Sequence, residues 1–590
     1  MLEKKDEEKI ISCLDVLLKV GNHEGTKDGI DALLQLYSFS SGALSSMLFF
    51  YNNFSLSKDE ERKLFELHKK WANDFTTSFF EEDKSIIEVK SIIDEVKKSS
   101  STPPFKKGER KLRIGYLSSD FRAHVVMHFF IPAVINRHNS TGDGMEVYCY
   151  SNYTGADDPV TDYVKSIVHQ FRKIDTCDDR KVARMMRDDK IDILVDLNGH
   201  TYGFRPGILV SNPAPIIVSW LGYPNTTGLT LNSEFSSTRH YRLTDCITDP
   251  FPSSSLGSAG NSHSHYTEQL TYMSGNGPSI CYSPGYGLGL SEEHKYTYSA
   301  LVPKLCSVML APSSNSRELK ELGERQHITF GTFNHPRKFS DECLKVWVKI
   351  LISVPGSKLA VKCVLWCDGR ENKNEENKKE TRMFIDRLVK TSGLTEDWVR
   401  ERIIFIPFSP TYTGHLESYS QIDIALDTWP YAGTTTTCEA LLMGVPVVTL
   451  TSASSSDCIG DHINRSRQNV GASILSSVPN LYHLIGKSEE EYVKIATTLA
   501  TYHTEGKGKG KGKDSEFLSS IRSEIGTAFS SSSICDASSF GKRLETTFET
   551  MMKEPDGSLD LPHSHTISTL TSPEKFPHLF KLAEIFKSNF

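Results

Sequence analysis

The sequence predicts an α/β protein with two lobes, each built on a parallel sheet, preceded by a short helical region. Three observations predict this. Residues 1–98 carry apolar residues at helical spacing. From residue 111 onward, short apolar runs alternate with helix-like segments, as in βαβ units. A second series of this kind begins at residue 328, so a ligand cleft is expected between the carboxyl ends of two sheets.

The first 98 residues are expected to form helices and little else. Helices are predicted over 10–20, 30–37 and 58–75, where apolar residues recur every three or four positions. No 34-residue period is visible, so at most a remnant of a tetratricopeptide array is expected. Residues 99–110 begin SSSTPPFKK, whose Pro and Ser oppose regular structure, and are predicted to be a linker.

Residues 111–300 are predicted to form the first lobe. The continuous apolar runs are typical of parallel strands that are buried on both faces. Strands are predicted over 112–117, 146–151, 191–197 and 216–221, with a helix over 180–188. Residues 251–265 (FPSSSLGSAGNSHSH) are of low complexity and are expected to be a disordered insert. Residues 301–327 are predicted to connect the lobes.

Residues 328–555 are predicted to form the second lobe, followed by a tail over 556–590. Strands are predicted over 328–333, 359–365, 403–407, 422–426 and 445–450. Helices are predicted over 341–354 and 435–443. The run GKGKGKGKD at 506–514 is interpreted as a flexible insert, because it cannot bury apolar surface.

Composition excludes several classes of function. The 590 residues carry a net charge of −7, so no basic excess points to nucleic acid or an anionic membrane. Apolar runs fall short of the roughly 18 residues of a spanning helix. The 12 cysteines form no CxxC pair, and the start MLEKKDEEK lacks the apolar core of a signal peptide, so the cytosol or nucleus is expected. No D-x-D metal motif and no G-x-G-x-x-G after a strand are found, so neither a metal nor another cofactor is expected.

The most informative segment is DTWPYAGTTTTCEALLMGVPVVTL, residues 427–450. A strand is expected to end near Asp427, and four threonines then open an apolar helix. Threonine is a good N-cap, and the free N–H groups of a helix start bind phosphate. Glu439 would lie one turn inside, where it can accept hydrogen bonds from a ribose. The alternative is a capped helix without a ligand.

This segment resembles the donor-binding region of the protein O-linked N-acetylglucosamine transferase family, which includes the SPINDLY type of plants. Five further stretches match in the same order: 64–75, 112–124, 191–201, 213–228 and 328–338. The resemblance spans roughly residues 45–555, and the order of the motifs makes it specific. Residues 452–469 depart from the family, which has a shorter loop there.

The resemblance implies a GT-B fold, that is, two Rossmann-like lobes with a donor cleft between them. It implies transfer of a sugar, with inversion and without a metal, from a nucleotide sugar to Ser or Thr hydroxyls of other proteins. Lys338 matches the family lysine that contacts the diphosphate, and His415 matches a histidine near the base. The implied donor-binding residues are Asn334, His415, Thr434, Thr435, Thr436, Thr437 and Glu439.

On the first lobe, His124 matches the family histidine that faces the reaction centre. A neutral imidazole can accept the proton of the acceptor hydroxyl. Asp196 is the alternative base, and its neighbours Asn198 and His200 follow the same strand. The residues expected to shape the acceptor side are Asn198, His200, Tyr223 and Pro224. Hydrogen bonding within loops is an equal interpretation of Asp196, Asn198 and His200.

The family uses two donors, UDP-GlcNAc and, in the SPINDLY type, GDP-fucose. The run AGTTTTCE is similar to the SPINDLY type, and the arginine pair of the uridine-binding type is absent after His415. Glu417 and Tyr419 stand there instead, and a carboxylate can accept the N–H groups of guanine. A position of Glu417 that points to solvent on its helix is an equal interpretation. GDP-fucose is therefore favoured and UDP-GlcNAc is the alternative. A catalytically silent nucleotide-binding regulator and a GT-B enzyme for small molecules remain further alternatives.

Overall fold

The structure is a computed structural model. It describes residues 3–19, 22–81, 110–135, 144–233, 236–250, 265–283, 327–362, 375–452, 466–505, 515–553 and 574–589. The predicted inserts at 251–265 and 506–514 and the connector at 301–327 lie outside the described residues, apart from His265 and His327.

Four helices form the N-terminal region: α1 Lys4–Lys19, α2 His23–Leu36, α3 Ser41–Tyr51 and α4 Lys58–Glu81. The helical prediction is confirmed for these four segments, although α3 has no separate periodic signal in the sequence. Residues 82–98 and the predicted linker, apart from Arg110, lie outside the described residues. Side chains such as Leu18, Ile30 and Trp71 are buried in one cluster with Leu194 and Ile217 of the first sheet. The helical region therefore packs on one face of the first lobe.

The first lobe is a seven-stranded parallel sheet with the order β3-β2-β1-β4-β5-β8-β9. Its strands are β1 Arg113–Ser118, β2 Glu146–Ser151, β3 Gln170–Lys173, β4 Ile193–Asp196, β5 Ile216–Ser219, β8 Arg239–Thr244 and β9 Gln269–Tyr272. A separate antiparallel pair consists of β6 Asn232–Ser233 and β7 Ser236–Ser237. The helices of this lobe are α5 Met127–Val134, α6 Pro159–Ile167, α7 Asp179–Asp188 and α8 Pro206–Val210.

The second lobe is a six-stranded parallel sheet with the order β12-β11-β10-β13-β14-β15. Its strands are β10 Thr329–Thr332, β11 Lys358–Lys362, β12 Ile403–Ile406, β13 Ile424–Leu426, β14 Val447–Leu450 and β15 Ile485–Gly486. Helices follow in the order α9 Asp341–Ser353, α10 Glu375–Ser392, α11 Glu396–Arg402, α12 Tyr412–Glu417, α13 Thr435–Leu442, α14 Ser466–Ser476, α15 Glu489–Glu505, α16 Ser515–Ser530, α17 Ala537–Lys553 and α18 Pro577–Asn589.

The last two helices correct the predicted lobe boundary. Although α17 lies within 328–555, its residues Phe540, Leu544 and Phe548 are buried in the core of the first lobe. Conversely, α18 lies in the predicted tail, yet its Leu579 and Leu582 are buried in the core of the second lobe. The chain thus crosses back to the first lobe and returns. An amphipathic pattern predicts a buried face, but it does not say which sheet covers that face.

Candidate active site between the two lobes

The topology places a cleft between the sheets. In the first sheet the order reverses between β1 and β4, and in the second between β10 and β13. Ligands of parallel α/β sheets bind outside the carboxyl ends of strands at such switch points. The loops after these four strands, together with α3, line a cleft of about 680 Å³. Both lobes contribute to it, as the sequence predicts.

The charges in the cleft favour an anionic ligand. Among the described residues, four cations and two carboxylates line it: Arg122, Arg242, Arg337, Lys338, Asp120 and Asp245. Cations outnumber carboxylates here, and a cleft with an excess of one sign of charge concentrates ligands of the opposite sign. A nucleoside diphosphate is negatively charged and therefore suits this cleft.

Lys338 lies at the end of a single 3-10 turn after β10, Pro336–Lys338, and lines the cleft. Its Nζ donates to the carbonyl oxygen of Ala432 at 2.8 Å and lies 4.0 Å from the centre of the Tyr431 ring. Burial lowers the pKa of Lys338 to about 8, against the opposing effect of Asp427. The structure therefore brings this lysine to the loop before α13, and its contact with a diphosphate stays a prediction.

The start of α13 is open toward the cleft. Thr434 is the N-cap residue but its side chain makes no capping hydrogen bond within the described residues, so the expected cap is not formed. Thr434, Thr435 and Thr436 line the cleft. The first N–H groups of a helix have no partner inside it and attract anions. This geometry fits a phosphate near Lys338.

Asn334 and Asp427 hold this loop in place. The Asn334 amide donates to Asp427 Oδ1 at 3.3 Å, and its oxygen accepts from Thr436 Oγ1 at 3.0 Å. Asp427 is buried and also accepts from the backbone N–H of Gly433 at 2.7 Å and from Thr449 Oγ1 at 2.7 Å. From the sequence alone, Asp427 is predicted only to end a strand. Its signal was its place directly after β13, where polar side chains organise the following loop.

The predicted ribose and base contacts lie behind the cleft wall. Glu439 is buried and accepts from Tyr419 OH at 3.2 Å, and it pairs with His415 Nε2 at 3.0 Å. Thr437 is buried as well, and its hydroxyl donates to Gly433 O at 3.1 Å. The 680 Å³ cleft is lined by none of these three residues, Glu439, Thr437 and His415. They support α13 and α12 in this structure, and His415 keeps 26% of its side chain exposed.

Glu417 is exposed at the end of α12, whereas Tyr419 is buried against Phe333, with ring centres 4.1 Å apart. This exposure fits the interpretation that Glu417 points to solvent, and its contact with a base stays a prediction. A carboxylate on the outer face of a helix stays hydrated, and this is what the amphipathic pattern favours.

His124 lies on the loop after β1 and lines the cleft. Its Nδ1 is 3.4 Å from the Val126 backbone N–H, which donates to it, and 3.6 Å from an Asp120 carboxylate oxygen. Burial lowers the pKa of His124, although Asp120 raises it in part. The imidazole is thus neutral near pH 7. Its side chain is 33% exposed. A group in this state can accept a proton.

Asp196 is buried beneath the cleft and is not available as a base. It is 1% exposed and accepts from the backbone N–H groups of Asn198 at 3.1 Å and Gly199 at 2.9 Å. Burial raises its pKa to about 6. The Asn198 amide in turn binds Ser119 Oγ at 2.9 Å, which ties the loop after β4 to the loop after β1. Both residues therefore hold the loop that carries His124.

His200 and Tyr223 connect the N-terminal helices to the first lobe. His200 is buried, with Nδ1 2.8 Å from Ser45 Oγ and its ring 4.4 Å from the Trp71 ring. Tyr223 OH is 2.8 Å from His68 Nε2. Of the predicted acceptor-side residues, Pro224 alone lines the cleft. The interpretation as loop hydrogen bonding holds for Asn198 and His200.

The chain is similar to several known proteins. Residues 87–276 and 304–544 match the sequence profile of glycosyl transferase family 41. The chain belongs to glycosyl transferase family 41. Within the described residues, no helix is long and apolar enough to cross a membrane.

Relatives of this family-41 chain include plant SPINDLY proteins. That of Solanum lycopersicum is 30% identical over 501 residues, which cover 84% of this chain and 43% of that protein. That of Oryza sativa subsp. japonica is 33% identical over 452 residues, which cover 76% of this chain and 40% of that protein. Both are described as a probable UDP-N-acetylglucosamine–peptide N-acetylglucosaminyltransferase. The chain spans less than half the length of these curated relatives.

A solved structure is similar to this chain over most of its length. An O-GlcNAc transferase mutant from Thermobaculum terrenum superposes with a TM-score of 0.64 at 24% identity, covering 93% of this chain and 84% of that one. At this identity the likeness shows the fold. The GT-B arrangement implied by the resemblance is confirmed.

Proposed function

We propose that this family-41 chain transfers a sugar from a nucleotide sugar to Ser or Thr hydroxyls of proteins in the cytosol or nucleus, with inversion and without a metal ion. The observation that carries the proposal is the pair formed by Lys338 and the open start of α13, on the same cleft as His124. One side of the cleft suits a leaving diphosphate, and the other suits a proton acceptor.

The donor-side groups stabilise the leaving diphosphate. As the bond between the anomeric carbon and the phosphate oxygen breaks, negative charge develops on that oxygen. The Lys338 ammonium and the first N–H groups of α13 are fixed in place before the reaction, which is what makes such stabilisation large. Asn334 and Asp427 keep these groups in position through the hydrogen bonds described above.

On the first lobe, His124 receives the proton of the acceptor hydroxyl. The hydroxyl oxygen forms the new bond to the anomeric carbon from the face opposite the leaving group, so the centre inverts. His124 suits this step because its lowered pKa leaves the imidazole neutral. The nearby Asp120 carboxylate stabilises the imidazolium that results.

GDP-fucose is the donor we place first, because of the AGTTTTCE run and the missing arginine pair after His415. Since Glu417 is exposed, the preference does not rest on that carboxylate. UDP-GlcNAc is the second candidate, since the SPINDLY relatives are described as probable UDP-N-acetylglucosamine–peptide N-acetylglucosaminyltransferases.

Separate incubations with GDP-fucose and UDP-GlcNAc, each with a peptide pool, test the proposal by mass spectrometry. We expect a deoxyhexose on Ser or Thr, retained in the presence of EDTA and lost in the Lys338→Ala variant. An N-acetylhexosamine instead would select the second donor. Nucleotide binding without transfer from either donor would support the silent regulator and reject the enzyme.

A further inference from the structure

One face of helix α4 contacts both lobes. His68, in the middle of the helix, binds Tyr223 of the first lobe through Nε2. Glu61 lies seven residues earlier, which is two helical turns, so it is on the same face. Both side chains are buried. A single rigid element therefore reaches from the acceptor side of the cleft toward the donor side.

Glu61 forms a buried ion pair with Arg467 at the start of α14. The guanidinium donates to both carboxylate oxygens of Glu61, with Nη1 3.5 Å from Oε2 and a closer contact between Nη2 and Oε1. Glu61 is 6% exposed and Arg467 is 3% exposed. A bidentate contact fixes direction as well as distance. Arg467 is therefore held in one orientation by a residue of the N-terminal helical region.

The backbone of Arg467 continues this contact to the donor loop. Its carbonyl oxygen accepts the N–H of Ala432 at 2.9 Å. The carbonyl oxygen of Ala432 accepts from Lys338 Nζ at 2.8 Å. A series of hydrogen bonds thus connects Glu61, through Arg467 and Ala432, to Lys338. Ala432 lies two residues before Thr434, the N-cap of α13.

A second contact of the N-terminal helices reaches the same place. Asp15 of α1 pairs with Arg337 at 2.8 Å, directly beside Lys338. A carboxylate of the helical region thereby holds the loop after β10 directly, through Arg337, and another holds the loop after β13 indirectly, through Arg467. This matters because loops held only by their own lobe would move with that lobe alone.

We propose that Glu61 and Arg467 are positioning residues, which fix Ala432 and so place Lys338 and the start of α13 for the diphosphate. The identity of that ligand rests on the proposed function, whereas the effect on the loop does not. The N-terminal helices then act as part of the donor site as well as a cover for the first sheet.

Hydrogen–deuterium exchange of the full chain tests the effect on the loop. In Glu61→Gln, we expect the Ala432 amide to exchange at least about tenfold faster, because an unpaired Arg467 no longer has a fixed position. Arg467→Lys keeps the charge but loses the fork, and should give a smaller increase in the same amide.

Asp189→Asn is the matched control. Asp189 accepts a bidentate pair from Arg172, with contacts of 2.7 and 2.5 Å, and it lies outside the cleft. This variant should lower the melting temperature and leave Ala432 exchange unchanged. Unchanged Ala432 exchange in both Glu61→Gln and Arg467→Lys, or an equal increase in Asp189→Asn, would overturn the proposal.

Calorimetry with GDP and UDP separates this inference from the proposed function. Weaker nucleotide binding by folded Glu61→Gln, at least about tenfold in Kd, supports the positioning role, and an unchanged Kd contradicts it. If the wild type binds neither nucleotide, the proposed function fails, and the exchange of Ala432 still decides whether Glu61 fixes the loop.

Discussion

The two lobes differ in where they place the polar residues that were predicted for the site at their strand ends. In the second lobe, Asn334, Lys338 and Thr434–Thr436 face the cleft. In the first lobe, Asp196 and His200 are buried in contacts within the protein, while His124 reaches the cleft. For His200 the reason is that α3 and α4 cover the loop after β4, as its contacts with Ser45 and Trp71 show. Asp196 is instead held by the N–H groups of Asn198 and Gly199 in its own loop. A polar residue after a strand becomes part of a site only where no other element covers it.

The largest expected effect is that of Lys338→Ala. Turnover should fall roughly a hundredfold or more, because the leaving diphosphate loses its cation. This corresponds to a loss of about 3 kcal/mol of transition-state stabilisation. The melting temperature should change little. Lys345→Ala, on the exposed side of α9, is the control and should react like the wild type. Near-normal turnover of Lys338→Ala would remove the lysine from the mechanism.

His124→Gln should lower kcat by about a hundredfold, because the acceptor hydroxyl loses its proton acceptor. Affinity for nucleotide should stay unchanged, since His124 belongs to the other lobe. Steady-state kinetics and calorimetry on the same preparation check both parts. A change confined to nucleotide affinity would place His124 on the donor side instead.

His200→Ala should act on stability and leave nucleotide affinity unchanged. The loss should be about 2–4 kcal/mol, because a buried ring is removed together with its hydrogen bonds to Ser45 Oγ at 2.8 Å and to the Thr227 carbonyl oxygen at 3.0 Å. Burial lowers the pKa of His200 to about 3 in the folded state, against 6.5. The unfolded chain therefore binds the proton first, and the stability that neutral His200 contributes is present above pH 6.5 and declines as the pH falls toward 3. Unfolding of both proteins at several pH values measures this, and an enlarged gap at low pH would contradict it.

The smallest effect concerns pH and activity. With the pKa of Lys338 at about 8, kcat/KM should decrease as the pH rises through that value, because the neutral amine no longer attracts the diphosphate. Lys338→Arg should not show this decrease, since a guanidinium stays charged. A flat profile for the wild type up to pH 10 would mean that Lys338 keeps its ordinary pKa.

The sequence predicted the strands that carry the site more completely than their surroundings. The predicted strand at 112–117 matches β1, and that at 328–333 matches β10, each to within one residue at either end, because buried parallel strands are continuous apolar runs. The edge strands β3 and β9 are short and mixed, which hides them from such a pattern. The placement of α17, and the burial of Asp196 and Glu439, depend on contacts between distant segments, which no local pattern contains.

Calorimetric titration of the wild type and Lys338→Ala with GDP and with UDP tests most directly whether the second-lobe loops hold a nucleoside diphosphate. The account predicts that the wild type binds GDP at least about tenfold more tightly than UDP, and that the variant loses at least about tenfold in GDP affinity. Equal GDP affinity of the variant and the wild type, or no binding of either nucleotide to the wild type, would contradict it.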